Sequence, residues 1–406
     1  MAVGLKNITA LEKISGIKLG SAAAEIRYQD RDDMLVILAE EGSRFAGVFT
    51  QNKFSAAPVV ISRKHLQVSE PRACLVNAGN ANAGTGSRGE QDALDCCQVL
   101  AQNLGIKMES VLPFSTGVIG ETLPVSKMSA AIPACLDNMS ADGWVSAAHT
   151  IMTTDTVAKG VTSKVKLNGG EITITGITKG SGMICPDMAT LLSFVATDAC
   201  IEKTLLQETL EDVVAESFNR TTVDGDTSTN DSCILIATGK CSHTEITNRD
   251  DENYALFHKA LKKVFIYLAQ AIIRDAEGAT KFVTINVINA ASDSDATEAA
   301  KTIAHSPLVK TALFASDPNW GRILAALGRA HLSDMDIQKV NLSINGVTVL
   351  SNGQVDAAYT EEQGQAAMTQ EDIVIEVDLA LANGSSRVWT SDLSHEYIRI
   401  NAEYRS

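Results

Sequence analysis

A threonine that follows a small residue inside a glycine-studded loop, Thr190 in TKGSGMICPDMATLL (178–192), offers more chemistry than any other position in this sequence. A hydroxyl is a poor nucleophile until a base takes its proton, and a threonine's own α-amine can serve once the preceding peptide bond is cut. That makes Ala189–Thr190 the candidate cleavage bond. The hydroxyl would attack the Ala189 carbonyl, carry the upstream chain as an ester and leave, after hydrolysis, an amine of unperturbed pKa about 7.7–8.0, suited to base work near neutrality. Read alone, the same residues fit a plainer account, in which Met188, Ala189, Leu191 and Leu192 open a buried segment and Thr190 is an ordinary hydroxyl bonded to backbone.

STGVIGE (115–121) sets Thr116 and Gly117 in a turn able to present backbone amides beside the Thr116 hydroxyl, and such donors stabilise the oxyanion of acyl transfer. A plain strand-to-helix turn explains it equally well. The loops LVNAGNANAGTG (75–86) and SFNRTTVDGDTSTNDS (217–232) match neither P-loop nor dinucleotide-binding spacing. Within the second, Asp224, Asp226 and Asp231 lack the spaced Glu of an EF-hand, so no metal is expected. Thr153 in MTTDT (152–156), Lys179, Glu277 in AEGATKF and the terminal INAEYRS place isolated polar groups among apolar residues, where each is either a structural partner or a substrate clamp. Cys185 stands beside the Thr190 loop with no histidine near it in the sequence and is read as a packing thiol.

The 406 residues exceed one small core, so two domains or lobes are expected. A composition of 45% hydrophobic and 20% charged residues is that of a globular protein, and a net charge of −15 disfavours nucleic acid and anionic membranes as partners. The eight cysteines form no CxxC pair and join no histidine cluster, which fits reduced thiols in a cytoplasmic protein. No run reaches transmembrane length, and MAVGLKNITALEKISGIKLG has no long apolar core, so neither a membrane span nor a targeting peptide is expected.

The elements that position these residues follow from periodicity. Short apolar strands are expected at 34–40, 46–51 and 73–79, and helices at 90–104 and 123–139. Residues 161–175 alternate about Asn168-Gly169, a hairpin leading into the Thr190 loop, and 191–199 reads as the buried strand that follows it. Helices over 201–219, 253–276 and 293–304, strands over 281–289 and 371–380, and an alternating stretch over 340–350 with a second Asn-Gly turn complete the pattern. This order predicts an α/β or α+β layered sandwich of mixed and antiparallel sheets with helices, not a doubly wound parallel sheet.

Nine stretches in order give the chain a resemblance to a known family: GVFTQNKFSAAPV (47–59), LVNAGNANAGTG, STGVIGE, MTTDT, KGSGMICPDMAT (179–190), SFNRTTVDGDTSTND, EGATKF (277–282), DPNWGRILAALGRA (317–330) and INAEYRS (400–406). They resemble the glutamate N-acetyltransferase/ornithine acetyltransferase family, ArgJ, along essentially the whole length. The resemblance implies a self-processing N-terminal-nucleophile fold of the ArgJ/DmpA-like type. It implies cleavage into an alpha chain, residues 1–189, and a beta chain, 190–406, assembled as a heterotetramer of two alpha and two beta chains. Thr190 would be the nucleophile, Thr116 and Gly117 the oxyanion site, and Thr153, Lys179, Thr190, Glu277, Asn401 and Ser406 the substrate contacts. The implied reaction is ping-pong transfer of acetyl from N2-acetyl-L-ornithine to L-glutamate in arginine biosynthesis, with no cofactor and with acetyl-coenzyme A left open as a second donor. On this reading Lys179 answers the amino-acid carboxylate and Glu277 the ornithine side-chain ammonium. The competing readings are a threonine-nucleophile amidohydrolase or aminopeptidase of the same fold, with water as acceptor, and a binding protein that never matures.

Overall fold

The computed structural model describes residues 2–185 and 191–403. In chain order the first half runs β1 (Ile17–Ala22), β2 (Met34–Ala39), β3 (Arg44–Phe49), α1 (Ala57–Val68), β4 (Ala73–Asn80), α2 (Gly86–Leu104), β5 (Val111–Val118), α3 (Val125–Asp137), α4 (Trp144–Thr150), β6 (Lys159–Leu167) and β7 (Gly170–Lys179). Then come β8 (Leu192–Thr197), α5 (Lys203–Ala215), β9 (Thr221–Thr222), β10 (Ser232–Ala237), α6 (Glu252–Arg274), β11 (Phe282–Ala290), α7 (Asp293–Ala304), α8 (Pro307–Phe314) and α9 (Trp320–Leu327). The chain closes with β12 (Asn341–Ile344), β13 (Val347–Ser351), β14 (Gln354–Val355), α10 (Glu361–Met368), β15 (Asp372–Asp378), β16 (Gly384–Ser391) and α11 (His395–Ala402).

A four-stranded sheet in the order β1-β2-β4-β5 faces a five-stranded sheet in the order β3-β10-β8-β7-β6. Between them Leu35, Ile37, Val76 and Phe114 interlock with Ile177, Phe194, Ile234 and Ile236, and Phe114 meets the Phe194 ring edge-on at 5.1 Å. The outer face of the first sheet is covered by α2 and α3 through Cys97, Leu100, Met128 and Ile132. The outer face of the second is covered by α5 and α6 through Leu206, Val213, Phe257 and Phe265. The result is a helix–sheet–sheet–helix sandwich, as the mixed order of elements predicts. In β8 and β10 successive apolar residues enter opposite cores, and both strands are buried throughout. The five-stranded sheet draws β3, β6 and β7 from before position 189/190 and β8 and β10 from after it. A seven-stranded sheet in the order β14-β13-β12-β15-β11-β16-β9 builds a second large core with α7 and α9.

The expected hairpin is β6–β7, turning at Asn168 and Gly169, and the helix expected at 293–304 has those bounds, with Ser292 accepting from Asp295 N as its cap. One helix changes its bounds. The helix over 201–219 stops at Ala215 and gives way to a 3₁₀ turn at Phe218–Arg220. The second Asn-Gly turn expected within 340–350 joins β12 to β13 at Asn345 and Gly346, whose φ of +46° and +78° suit a tight hairpin turn. Thr116 and Gly117 lie in the last residues of β5 and not in a turn.

Candidate active site

The Thr116 strand end is shaped by glycine against glycine. In the parallel β4–β5 pair Gly79 stands opposite Gly117, and a Cβ on Gly117, whose φ is +132°, would lie 2.3 Å from the Gly79 carbonyl carbon. The asparagine-rich loops hold this end in register as hydrogen-bond networks. Asn230 Nδ2 donates to Ser115 O at 2.9 Å and to Ala81 O at 2.6 Å, and Asn77 Nδ2 donates to Ser115 Oγ at 2.6 Å.

Thr116, Gly117, Thr153, Lys179, Glu277 and Asn401 all line one cavity of about 270 Å³, with Val118, Ile119 and Leu191 among its apolar walls. Lys179, at the end of β7, donates from Nζ to Thr153 Oγ1 at 2.8 Å and to Thr116 Oγ1 at 3.2 Å. Burial pushes its ammonium below the ordinary lysine range, helped by Lys159 and opposed by Asp155, Glu277 and Asp231. Glu277, also in the lining, is buried and accepts from Asn401 Nδ2 at 2.8 Å, while its own N–H donates to Ser181 O at 2.9 Å. A Cβ on Gly182 would sit 2.3 Å from Glu277 Oε2, so the glycine leaves room for the carboxylate. Thr190, the cleavage partner Ala189 and Ser406 lie outside the described residues.

Beneath the site runs a charge network that periodicity and motif spacing did not reveal. Lys159 Nζ lies 2.6 Å from Asp155 Oδ1 and 2.6 Å from Asp275 Oδ2, all three side chains being sealed from water. Asp155 also accepts from Gly180 N at 2.8 Å and Thr153 N at 3.0 Å, and Asp275 accepts from Thr156 N at 2.9 Å. The network therefore ties together the three segments that carry Thr153, Lys179 and Glu277. Burial would raise the Asp155 carboxyl, but Lys159 and Lys179 outweigh it and hold the group well below the usual carboxylate range.

Asp224 and Tyr397 anchor the neighbouring loop. Asp224 accepts from Met183 N at 2.7 Å, Ile184 N at 3.0 Å and Tyr397 Oη at 3.1 Å, which fastens the loop to α11, the helix that bears Asn401. Cys185 differs from the sequence reading. A histidine 120 residues away in the chain approaches it, with His305 Nε2 3.4 Å from Sγ, and burial with Lys301 and Lys310 pushes that imidazole down to about 4. Asp231 completes the cavity lining and was the acid that spacing alone left without a role.

Comparison with known proteins places this geometry. A profile described as the ArgJ family matches residues 18–406. The chain is 49% identical over 406 residues to "Arginine biosynthesis bifunctional protein ArgJ" of Pseudomonas syringae pv. tomato, covering 100% of both. It is 51% identical over 393 residues to the protein of that name from Methylococcus capsulatus, covering 97% of this chain and 96% of the relative. Among solved structures, the arginine biosynthesis bifunctional protein ArgJ of Bacillus halodurans is 38% identical with a TM-score of 0.50, over 52% of this chain and 97% of that one. Among the described residues no helix is long and apolar enough to cross a membrane.

Proposed function

This chain belongs to the ArgJ family, and from that membership and the cavity we propose that it moves an acetyl group from N2-acetyl-L-ornithine to L-glutamate in arginine biosynthesis, through an ester on Thr190. The observation that carries the reading is the placing of a cation and an anion on one small cavity: Lys179 among the hydroxyls of Thr116 and Thr153, and Glu277 bonded to Asn401. Such a pocket suits an amino acid, whose carboxylate and ammonium need opposite partners. Lys179 takes the carboxylate, Glu277 takes the ornithine side-chain ammonium, and Asn401 and Ser406 supply neutral hydrogen bonds.

The chemistry then follows in two halves. The precursor cuts itself between Ala189 and Thr190, and the freed α-amine of Thr190 deprotonates its own hydroxyl. The hydroxyl takes the acetyl group, with Thr116 Oγ1 and the Gly117 amide answering the charge on the tetrahedral oxygen. Ornithine departs, glutamate enters and attacks the ester, and N-acetylglutamate leaves. No cofactor is needed because the ester stores the acetyl group, and acetyl-coenzyme A serves as an alternative donor if the chain shares the bifunctional character in its relatives' names. The mature enzyme is a cytoplasmic heterotetramer of two 1–189 and two 190–406 chains. The Bacillus halodurans chain, matched over 97% of its length yet spanning 52% of this one, has the proportion that a divided precursor produces.

Denaturing mass analysis of wild type beside Thr190→Ala tests the reading. Wild type should give two fragments meeting at 189/190, the second gaining the mass of one acetyl group on exposure to N2-acetylornithine, and the variant one intact, unacetylated chain. Cleavage in both proteins would assign the cut to an outside protease and remove the self-processing step.

A further inference from the structure

Asp231 precedes β10 and stands across from the first described residue after the proposed nucleophile. Ser232 N donates to Leu191 O at 2.8 Å, and Ser232 pairs with Leu192 in the parallel β8–β10 ladder. The side chain is only 3% exposed, lines the cavity, and among the described residues its Oδ2 has no hydrogen-bond partner. A buried carboxyl oxygen left unanswered in a cavity wall is a costly arrangement that a bound ligand can complete.

We infer that Asp231 is a catalytic acid and base, giving a proton to the nitrogen that leaves the acetyl group and taking one from the nitrogen that attacks it. This rests on the acetyl-transfer reading above. Burial pushes the carboxyl well above its usual range, against the Ser228 hydroxyl, Lys179 and the Leu191 amide, which favours the protonated form. The charged groups that bear on it are Lys179 from β7 and, acting on Lys179 in turn, Asp155 and Glu277. Amine nitrogen is a poor leaving group unless it is protonated as the C–N bond breaks, and the Thr190 amine is already occupied by the hydroxyl proton.

The proton balance closes. In the first half-reaction the Thr190 Oγ–C bond forms and the acetamide C–N bond breaks. The Oγ proton passes to the Thr190 α-amine, and the ornithine nitrogen takes the proton of Asp231. Ornithine leaves as a neutral amine and is protonated in water, while the acetyl-enzyme holds an ammonium and a carboxylate. Glutamate, entering as the neutral amine, reverses each transfer: its N–C bond forms, Oγ–C breaks, Oγ recovers its proton from the ammonium, and Asp231 takes one from the nitrogen.

The test compares two acetyl donors in single-turnover acetylation of matured wild type and Asp231→Asn. N2-acetylornithine needs its leaving nitrogen protonated, whereas p-nitrophenyl acetate releases a phenolate that does not. The variant should acetylate about 100-fold or more slowly from acetylornithine and at the wild-type rate from p-nitrophenyl acetate. Equal loss with both donors, or loss with neither, overturns the assignment. Should the variant fail to mature, wild type decides: acetylation by acetylornithine should fall as pH rises through the Asp231 titration while that by the phenyl ester does not, and parallel profiles overturn it. Wild type that gains no acetyl group from either donor overturns the transfer reading beneath it.

Discussion

Asp155, under the floor of the cavity, accepts from Lys159 at 2.6 Å, Gly180 N at 2.8 Å and Thr153 N at 3.0 Å, whereas Asp231, in the wall, keeps an oxygen with no partner among the described residues. Both carboxyls are buried and both pay desolvation, but only the floor recovers it inside the protein. The outcome is opposite in sign, one group shifted towards the carboxylate and the other towards the acid. A saturated buried charge builds scaffold. An unsaturated one is a place reserved for something that arrives later.

The largest effect expected from this contrast is at the floor. Lys159→Met leaves two sealed carboxylates facing each other and should cost about 3–5 kcal/mol of unfolding free energy, read from urea denaturation. A loss below about 1 kcal/mol would mean that the floor does not depend on its ion pairs. In the wall the same measurement should go the other way. Asp231→Asn removes a carboxyl whose proton affinity is raised by folding, and should stabilise the protein at neutral pH.

The pH dependence separates the two further. Asp231 binds its proton more tightly when folded, so its stabilising influence is complete below about pH 4 and is lost as pH rises, and the advantage of the Asn variant should grow over that rise. Asp155 is the reverse, its contribution present above about pH 4 and lost as pH falls below. Smaller still, Gly182→Ala brings a methyl within 2.3 Å of Glu277 Oε2, and by displacing that carboxylate should raise KM for acetylornithine about tenfold with little change in the unfolding midpoint. The smallest effect should come from Arg399→Ala, whose ion pairs with Glu396 on α11 and with Glu403 just after it lie in water; the midpoint should not move.

Local pattern was enough for the hairpin at Asn168-Gly169 and for the buried strand after the loop, because alternation and turn chemistry act within a few residues. The family resemblance, not local pattern, nominated Thr116, Gly117, Thr153, Lys179, Glu277 and Asn401, which the fold gathers around one cavity. What local pattern could not show is pairing across the chain. Lys159 and Asp275 are 116 residues apart, Cys185 and His305 are 120 apart, and Asp231 shares the wall with Lys179 only because β10 is inserted beside β8. The short helices α4, α8 and α9 went unread for a related reason: each is too brief for periodicity and is held by its neighbours' packing.

The five-stranded sheet, with β8 and β10 lodged among β3, β6 and β7, has a bearing on how the molecule can be made. Severing the backbone at 189/190 would liberate nothing, since the backbone hydrogen bonds of the ladder still stitch the two polypeptides into one body. The pieces would share a single folding history: synthesised as one thread, folded as one, and afterwards as hard to exchange between molecules as the middle strand of any sheet. Halves expressed apart and mixed should therefore fail to regenerate what the uncut gene product assembles unaided.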